Sequence, residues 1–105
     1  MAKYVLLYTG GGMAETEVQQ AEVMQAWGAW LGKLGSALVD GGNPFSSAAS
    51  YIASDGSVSQ GAKGTPATGY TIIQADSLNS AVELARGCPQ LQSNGQITVY
   101  EAIEM

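Results

Sequence analysis

The sequence predicts an α+β fold, in which an antiparallel sheet carries two helices on one face. Three observations lead to this prediction. Residues 3–9 and 70–73 are short runs rich in aromatic and branched apolar side chains, as in buried strands. Between them and after them lie stretches in which apolar residues recur at helical spacing. Residues 96–104 alternate apolar and polar side chains, which is typical of a half-buried strand.

The first predicted strand, from residue 3 to residue 9, is apolar on both of its sides. Val5 and Leu7 fall on one side, and Tyr4, Leu6 and Tyr8 fall on the other. Such a strand is usually covered on both faces of its sheet. Because two helices cover only one face, the sequence predicts that a second copy of the chain covers the other, as a homodimer.

A long helix is predicted to follow, from Thr16 to about Leu38. Thr16 and Gln19 have the spacing of a capping box, which satisfies free backbone N–H groups at a helix start. The arc predicted to face the sheet contains Val23, Met24, Trp27, Trp30, Leu31, Leu34 and Leu38. A flank beside this arc predicts a closely packed neighbour, because it consists of Gly28, Gly32 and Gly35.

The strand Tyr70–Ile73 leads into a second, shorter helix. Asp76 and Ser77 offer side-chain oxygens to the free N–H groups of its first turn. Its apolar stripe consists of Leu78, Ala81, Val82 and Ala85. Gly87 and Pro89 predict where this helix ends.

Residues 41–68 are rich in Gly, Ser, Ala and Thr and predict the least structure. Within them, Ala48–Ala53 and Ser57–Ser59 are expected to pair as a hairpin around the two-residue turn Asp55-Gly56. The order of elements is then strand, helix, hairpin, strand, helix and strand. This order predicts a ferredoxin-like split βαβ sandwich that occupies residues 1–105 as a single domain.

Composition narrows the classes of partner and compartment. Nine acidic residues against four basic ones give a net charge of −5, which is the wrong sign for nucleic acid or an anionic membrane. Only 12% of residues are charged while 46% are hydrophobic, which favours a surface covered by a second copy. The lone Cys88 excludes an internal disulfide and indicates a reducing compartment. With no apolar run of membrane-spanning length and no signal peptide, we expect a cytoplasmic protein.

The chain resembles the YCII-related family, also called DGPF-domain proteins, over nearly its whole length. The resembling segments are Lys3–Leu7, Gly69–Ile73, Asp76–Leu78 with Ala81 and Ala85, Cys88-Pro89 and Ile97–Val99. The resemblance implies a ferredoxin-like protomer that dimerises sheet to sheet as a dimeric α/β barrel. Three features differ from the family, and one is the last strand, which has Tyr100 and Glu101 where many relatives have Arg and Pro. Gln60-Gly61-Ala62-Lys63 stands at the place of the Asp-Gly-Pro-Phe signature, and the histidine of the family's histidine–aspartate pair is absent because this chain has no histidine.

Few residues predict chemistry. Without histidine and with one cysteine, the sequence predicts no metal site and no cofactor. Cys88 lies just past a predicted helix C-terminus, where the helix dipole disfavours a thiolate, and is expected to be structural. Gly10–Gly12 lack the lysine of a phosphate-binding loop, so we expect a plain loop.

The candidate site is a cleft between helix and sheet that is lined by Tyr8, Trp27, Asp40 and Tyr100, with Asn43 close by. Asp40 follows the first helix, and Glu101 interrupts an apolar strand face, so both are candidate general acids or bases. The first hypothesis is a small-molecule-binding dimer or an enzyme that acts by proton transfer on a small aromatic or lactone-like compound. The second is a non-catalytic dimeric accessory or regulatory module.

Overall fold

A computed structural model describes residues 1–12 and 15–104, and within them the chain forms a two-layer α+β domain. The strands are β1 (Ala2–Gly10), β2 (Leu38–Asp40), β3 (Ser50–Ile52), β4 (Val58–Gln60), β5 (Ala67–Ala75) and β6 (Gly95–Ala102). The helices are α1 (Glu17–Leu34) and α2 (Leu78–Ala85), and 3-10 turns occupy Gly35–Ala37 and Pro89–Ser93. No helix in this described part of the chain is long and apolar enough to cross a membrane.

The main sheet has four strands in the order β2-β5-β1-β6, and every neighbouring pair is antiparallel. Because β1 and β2 both run antiparallel to β5, they are parallel to each other, with β5 between them. In the same way β5 and β6 are parallel, with β1 between them. Each helix therefore connects two parallel strands that are separated by a third. The predicted antiparallel sheet with two helices is confirmed at this level.

The core lies between the sheet and the helices. Alternation along the strands sends one set of side chains to this side, as expected for period-two geometry. The buried apolar residues are Tyr4, Leu6, Tyr8, Trp30, Leu34, Ile73, Ala75, Ala81, Ala85 and Cys88. Tyr4, Leu6 and Tyr8 of β1 therefore point into the core. Val5 and Leu7 point to the opposite face of the sheet, which no helix covers.

The first helix begins where the sequence predicts and ends earlier. Thr16 Oγ1 accepts a hydrogen bond from the N–H of Gln19 over 3.1 Å, which confirms the cap. The Gln19 side chain accepts a hydrogen bond at Oε1 from the N–H of Glu15, and not from that of Thr16 as in a capping box. The predicted end near Leu38 is wrong, because Gly35 adopts φ 55° and stops the helix at Leu34. Residues 38–40 then form the edge strand β2.

The predicted sheet-facing arc of α1 is correct only in its C-terminal half. Trp30 and Leu34 are buried, whereas Met24 is 75% exposed. The N-terminal half of α1 lies instead against the 3-10 turn Pro89–Ser93, so its outer side meets no strand. The expected close neighbour of the glycine flank is also missing from the described protomer. A Cβ added at position 28, 32 or 35 would meet no atom within 4 Å.

The second helix has the predicted cap and a narrower buried stripe. Ser77 Oγ accepts a hydrogen bond from the N–H of Ser80 over 3.1 Å. Ala81 and Ala85 are buried, but Leu78 and Val82 are exposed, so the predicted four-residue stripe is wrong at two positions. The helix is only eight residues long, and its small side chains bring one face close to the sheet.

The predicted hairpin exists as a separate two-stranded sheet, β3–β4, in which Ser50 pairs with Gln60 and Ile52 with Val58. Its turn is longer than the predicted two residues. The Ala53 N–H bonds to the carbonyl oxygen of Ser57, and residues 54–56 lie between this bonded pair. We call residues 46–66 the arm. The radius of gyration is 15.1 Å, whereas roughly 13 Å is expected for a compact chain of this length. The larger value is consistent with an arm that projects from the main sheet.

Candidate functional site

A cleft of about 580 Å³ opens between α1 and the 3-10 turn Pro89–Ser93. We call it the Trp27 cleft. Positions 19, 22, 23, 26 and 27 of α1 share one helix face, and this face forms one wall. Among the residues that the structure describes, the lining consists of Gly12, Gln19, Glu22, Val23, Ala26, Trp27, Pro89, Gln90, Gln92, Ser93 and Asn94. The mouth of the cleft therefore combines an apolar helix face with amide and carboxylate groups.

Gln90 fixes the opposite wall to the end of β1. Its Nε2 donates to the carbonyl oxygen of Thr9 over 3.1 Å and approaches that of Gly10 at 3.4 Å. The N–H of Gly12 donates to the carbonyl oxygen of Ser93 over 3.0 Å. The end of β1 and the predicted plain loop after it are therefore hydrogen-bonded to the 3-10 turn at Thr9, Gly10 and Gly12.

The floor of the cleft is aromatic. Trp27 is half-buried, and its ring meets that of Tyr8 edge to face, with centroids 5.4 Å apart and an interplanar angle of 70°. Trp30 packs on the other side of Trp27 at 5.7 Å and 82°. Edge-to-face contacts of this kind favour a fixed ring orientation. The indole of Trp27 thus gives the cleft a preformed aromatic surface.

Beneath Trp27 lies a buried polar cluster of three side chains. Tyr8 Oη donates to Thr71 Oγ1 over 2.6 Å, and Thr71 Oγ1 donates to the carbonyl oxygen of Gly41 over 3.1 Å. Cys88 Sγ lies 3.8 Å from Tyr8 Oη. Burial raises the pKa of the Tyr8 phenol and that of the Cys88 thiol. Both groups therefore stay protonated near neutral pH, and the cluster supplies structure rather than a nucleophile.

The described lining of the Trp27 cleft offers one charged group and several amides. Glu22 is the single ionisable group among its lining residues, and it is exposed. Gln19, Gln92 and Asn94 add amide donors and acceptors. A carboxylate beside an aromatic ring favours a flat ligand that is neutral or positively charged.

Asp40 lies on the other face of the sheet. It pairs with Ile72 in the β2–β5 ladder, on the side away from the helices. Its Oδ1 accepts a hydrogen bond from the N–H of Gly42 over 2.9 Å, and its Oδ2 is 3.5 Å from Tyr70 Oη. The carboxylate is exposed and helps to shape the turn after β2.

The remaining predicted site residues are also dispersed. Tyr100 is 54% exposed and pairs with Val5 on the helix-free face, in the same row across the sheet as Asp40 but at the opposite edge. Glu101 is exposed on the helix side, paired with Tyr4. Asn43 is exposed after β2.

One cleft lined by Tyr8, Trp27, Asp40 and Tyr100 therefore does not exist within a protomer, and that prediction is corrected. Tyr8 and Trp27 lie on the helix side of the sheet, whereas Asp40 and Tyr100 lie on the other side. The reason is strand alternation. Tyr8 and Val5 are three residues apart on β1, so their side chains point to opposite faces of the sheet. Tyr100 is the cross-strand partner of Val5 and therefore lies on the same face as Val5.

The helix-free face of the sheet forms a second surface, which we call the open face. It is apolar at its centre, where Val5, Leu7 and Ile72 lie, and Phe45 stacks on Tyr70 beside them at a centroid distance of 5.8 Å. Among the described residues, the open face includes Lys3, Val5, Leu7, Thr9, Asp40, Phe45, Tyr70, Ile72, Gln74, Gln96, Thr98, Tyr100 and Ala102. Only two of these residues are charged.

Several residues that line the Trp27 cleft could not be predicted from the sequence. Gln90, Gln92 and Asn94 lie after Pro89 in a stretch with no periodic pattern. One signal was available, since Asn94 takes φ 63° before Gly95 and an Asn-Gly pair is typical of a turn. Among residues 1–12 and 15–104, no group of three His, Cys, Asp or Glu side chains is placed to hold a metal ion.

The chain was compared with known proteins in two ways: no protein-family model matches it, and no curated protein shows significant similarity to it.

Proposed function

We propose that this chain is a small-molecule-binding protein of the YCII-related type that works as a homodimer. The observation that carries the proposal is the Trp27 cleft, which the protomer leaves open over a preformed aromatic floor. Clefts of several hundred Å³ with an aromatic wall and a few polar groups are the usual form of small-molecule sites. The ligand class that fits is a flat aromatic or lactone-like compound without negative charge.

The protomer architecture supports the family proposal. In a split βαβ unit, each helix joins two parallel strands that have another strand between them, and both helices of this chain do so. This order supports the ferredoxin-like arrangement that the resemblance implies. The resemblance itself rests on segments such as Gly69–Ile73 and Cys88-Pro89.

The open face supports the homodimer. Val5, Leu7 and Ile72 are half-buried rather than buried, and an apolar sheet face of this kind is usually covered in the functional protein. Meeting of two open faces would place sheet against sheet, as in a dimeric α/β barrel. Sedimentation velocity at micromolar concentration tests this directly. We expect a dimer for the wild type and a monomer for Leu7→Asp, with Val18→Asp on the exposed side of α1 as the control.

A specific observation favours ligand binding without catalysis over proton transfer. The two carboxylates proposed as general acids or bases, Asp40 and Glu101, are exposed and line no part of the Trp27 cleft. Tyr8 is buried behind Trp27 and hydrogen-bonded to Thr71. A ligand in the cleft would therefore be held without a base beneath it. Asp40, with the Tyr70 hydroxyl 3.5 Å away, keeps the proton-transfer hypothesis open on the other face.

A binding screen with variants tests the ligand-binding proposal. Aromatic acids, neutral aromatics, lactones and cationic heteroaromatics are titrated up to about millimolar concentration, with thermal shift and calorimetry as readouts. We expect neutral or cationic aromatics to bind, and Trp27→Leu to raise their Kd by about tenfold or more. Tyr51→Leu, which removes an aromatic ring from the arm, is the control. Binding that survives Trp27→Leu unchanged, or a screen in which no compound binds, contradicts the proposal.

The role of the carboxylates is tested with the same ligands. If the cleft binds without catalysis, Asp40→Asn and Glu101→Gln leave the Kd unchanged, and no ligand is converted on incubation with the protein. Conversion of a ligand that Asp40→Asn abolishes would instead favour the proton-transfer hypothesis.

A further inference from the structure

We propose that the arm, residues 46–66, packs against a second copy of this chain through the paired side chains of Ile52 and Val58. This inference rests on the homodimer proposed above and adds a second contact region to it. It assigns to the glycine- and serine-rich stretch a role in assembly that the sequence pattern does not indicate.

The first reason is that the arm is too small to be stable alone. β3 and β4 have three residues each and form their own sheet, with no ladder to the main sheet. A two-stranded hairpin is marginally stable in water unless its side chains pack against something. Its internal bonds, such as Gly61 N–H to the carbonyl oxygen of Ala49, close the hairpin but bury little apolar surface.

The second reason is that two apolar side chains lie bare on one face of the arm, next to Ser50 and Gln60. Ile52 and Val58 stand directly opposite each other in the ladder, so their side chains share a face, and they are 68% and 67% exposed. The other face carries Tyr51, whose ring is covered by Lys63 Nζ at 5.1 Å from its centroid. The arm therefore has one face that it covers itself and one that it leaves open.

The third reason is the distribution of charge, which points to a second copy as the occupant. The arm carries one acidic and one basic residue, Asp55 and Lys63, and the open face carries Asp40 and Lys3. The rest of the chain holds the other seven acidic and two basic residues, and hence the whole net charge of −5. Two identical acidic chains repel each other least where they carry no net charge, as on the open face and the arm.

The fourth reason is that the arm continues the open face. It leaves the sheet at Phe45, whose N–H donates to the carbonyl oxygen of Thr68 over 2.8 Å and whose ring stacks on Tyr70. Pro44 forms an isolated bridge with Gly69 at the same point. A second copy seated on the open face therefore meets the root of the arm at Phe45.

The test compares the dissociation constant of the dimer between wild type and arm variants by sedimentation equilibrium. We expect the double variant Ile52→Ser, Val58→Ser to raise the dimer Kd by about tenfold or more. The control is Val18→Ser, Met24→Ser, which removes two side chains of similar exposure from α1 and leaves the Kd unchanged. Circular dichroism checks that each variant folds.

Amide hydrogen exchange gives an independent measurement on the wild type. We expect the amides of β3 and β4 to gain protection as protein concentration rises through the dimer Kd. A wild-type dimer whose Kd is unchanged in the arm variant, with arm exchange independent of concentration, overturns this inference and leaves the homodimer standing. A wild type that stays monomeric overturns both.

Discussion

Trp30 of α1 donates from its indole Nε1 to the carbonyl oxygen of Leu84 in α2 over 3.1 Å. Leu84 lies in the last turn of α2, where carbonyl groups have no partner within the helix. The bond therefore satisfies a terminal carbonyl and joins the two helices. It also fixes Trp30, against which the ring of Trp27 packs. The floor of the Trp27 cleft is thus held in place by α2, which does not itself line the cleft.

The substitution Trp30→Phe is expected to destabilise the protein by about 1–3 kcal/mol, because it leaves the Leu84 carbonyl without its donor in a partly buried place. Urea unfolding followed by circular dichroism measures the loss. The control is Trp27→Phe, which keeps an aromatic ring at the cleft and leaves the bond to Leu84 intact. Equal effects of the two substitutions would show that ring size, and not the hydrogen bond, determines the loss.

Alkaline pH is expected to lower stability through Tyr8. Burial raises the pKa of this phenol in the folded protein above its unfolded value of about 10. Its contribution is therefore fully present below the unfolded pKa and is lost as the pH rises through the folded pKa. Tyr8→Phe removes this contribution, so its free energy of unfolding falls less steeply above about pH 10 than that of the wild type.

The measurement for Tyr8 is a series of urea titrations from neutral to alkaline pH. A residual slope is expected in the variant, since burial also raises the pKa of Cys88. Adding Cys88→Ala to both proteins removes that contribution and leaves the comparison at Tyr8. Parallel curves for the two proteins would contradict the proposed burial effect.

The glycine flank of α1 offers a stabilising change. Gly28 and Gly32 lie within the helix, and a Cβ at either position meets no atom of the described protomer within 4 Å. Each substitution to alanine is expected to raise the free energy of unfolding by about 1 kcal/mol, because alanine restricts the unfolded chain and favours helix. Thermal unfolding measured at protein concentrations below and above the dimer Kd checks this. A loss of stability that appears only above the dimer Kd would reveal a neighbour that the protomer does not contain.

These glycines also show where sequence reasoning reaches its limit. A helical pattern defines which residues share a face, but not what lies opposite that face. The same limit applies to Met24, which belongs to the apolar arc but is exposed, because this half of α1 lies against the 3-10 turn Pro89–Ser93. By contrast, the caps at Thr16 and Ser77 depend on bonds within a few residues, and both are confirmed.

The site was harder to predict than the fold for a related reason. Asp40 follows a helix in the sequence-based prediction, but the three-residue strand β2 is too short to show a pattern. That strand moves Asp40 to the open face. The wall opposite α1 depends on Gln90, whose two bonds join it to residues about 80 positions earlier in the chain. Only the folded chain brings these groups together.

The contact between Gln90 and Gly95 gives the last prediction. A Cβ at position 95 would overlap the Gln90 side chain and lie 2.7 Å from the Gln90 carbonyl oxygen. Gly95→Ala is therefore expected to displace Gln90, weaken its bonds to the carbonyls of Thr9 and Gly10, and cost about 1–3 kcal/mol. Gln90→Ala alone is expected to cost a similar amount, because it leaves the Thr9 carbonyl without this donor.

The double variant Gly95→Ala, Gln90→Ala distinguishes a direct collision from a general effect on β6. Removing the Gln90 side chain relieves most of the overlap, although the contact with its carbonyl oxygen remains. The double variant is therefore expected to lose less stability than the two single losses together, with an interaction free energy of about 1 kcal/mol in urea unfolding. Strict additivity would mean that Gly95→Ala acts through the backbone of β6, and the Gln90 side chain would then have no part in requiring glycine there.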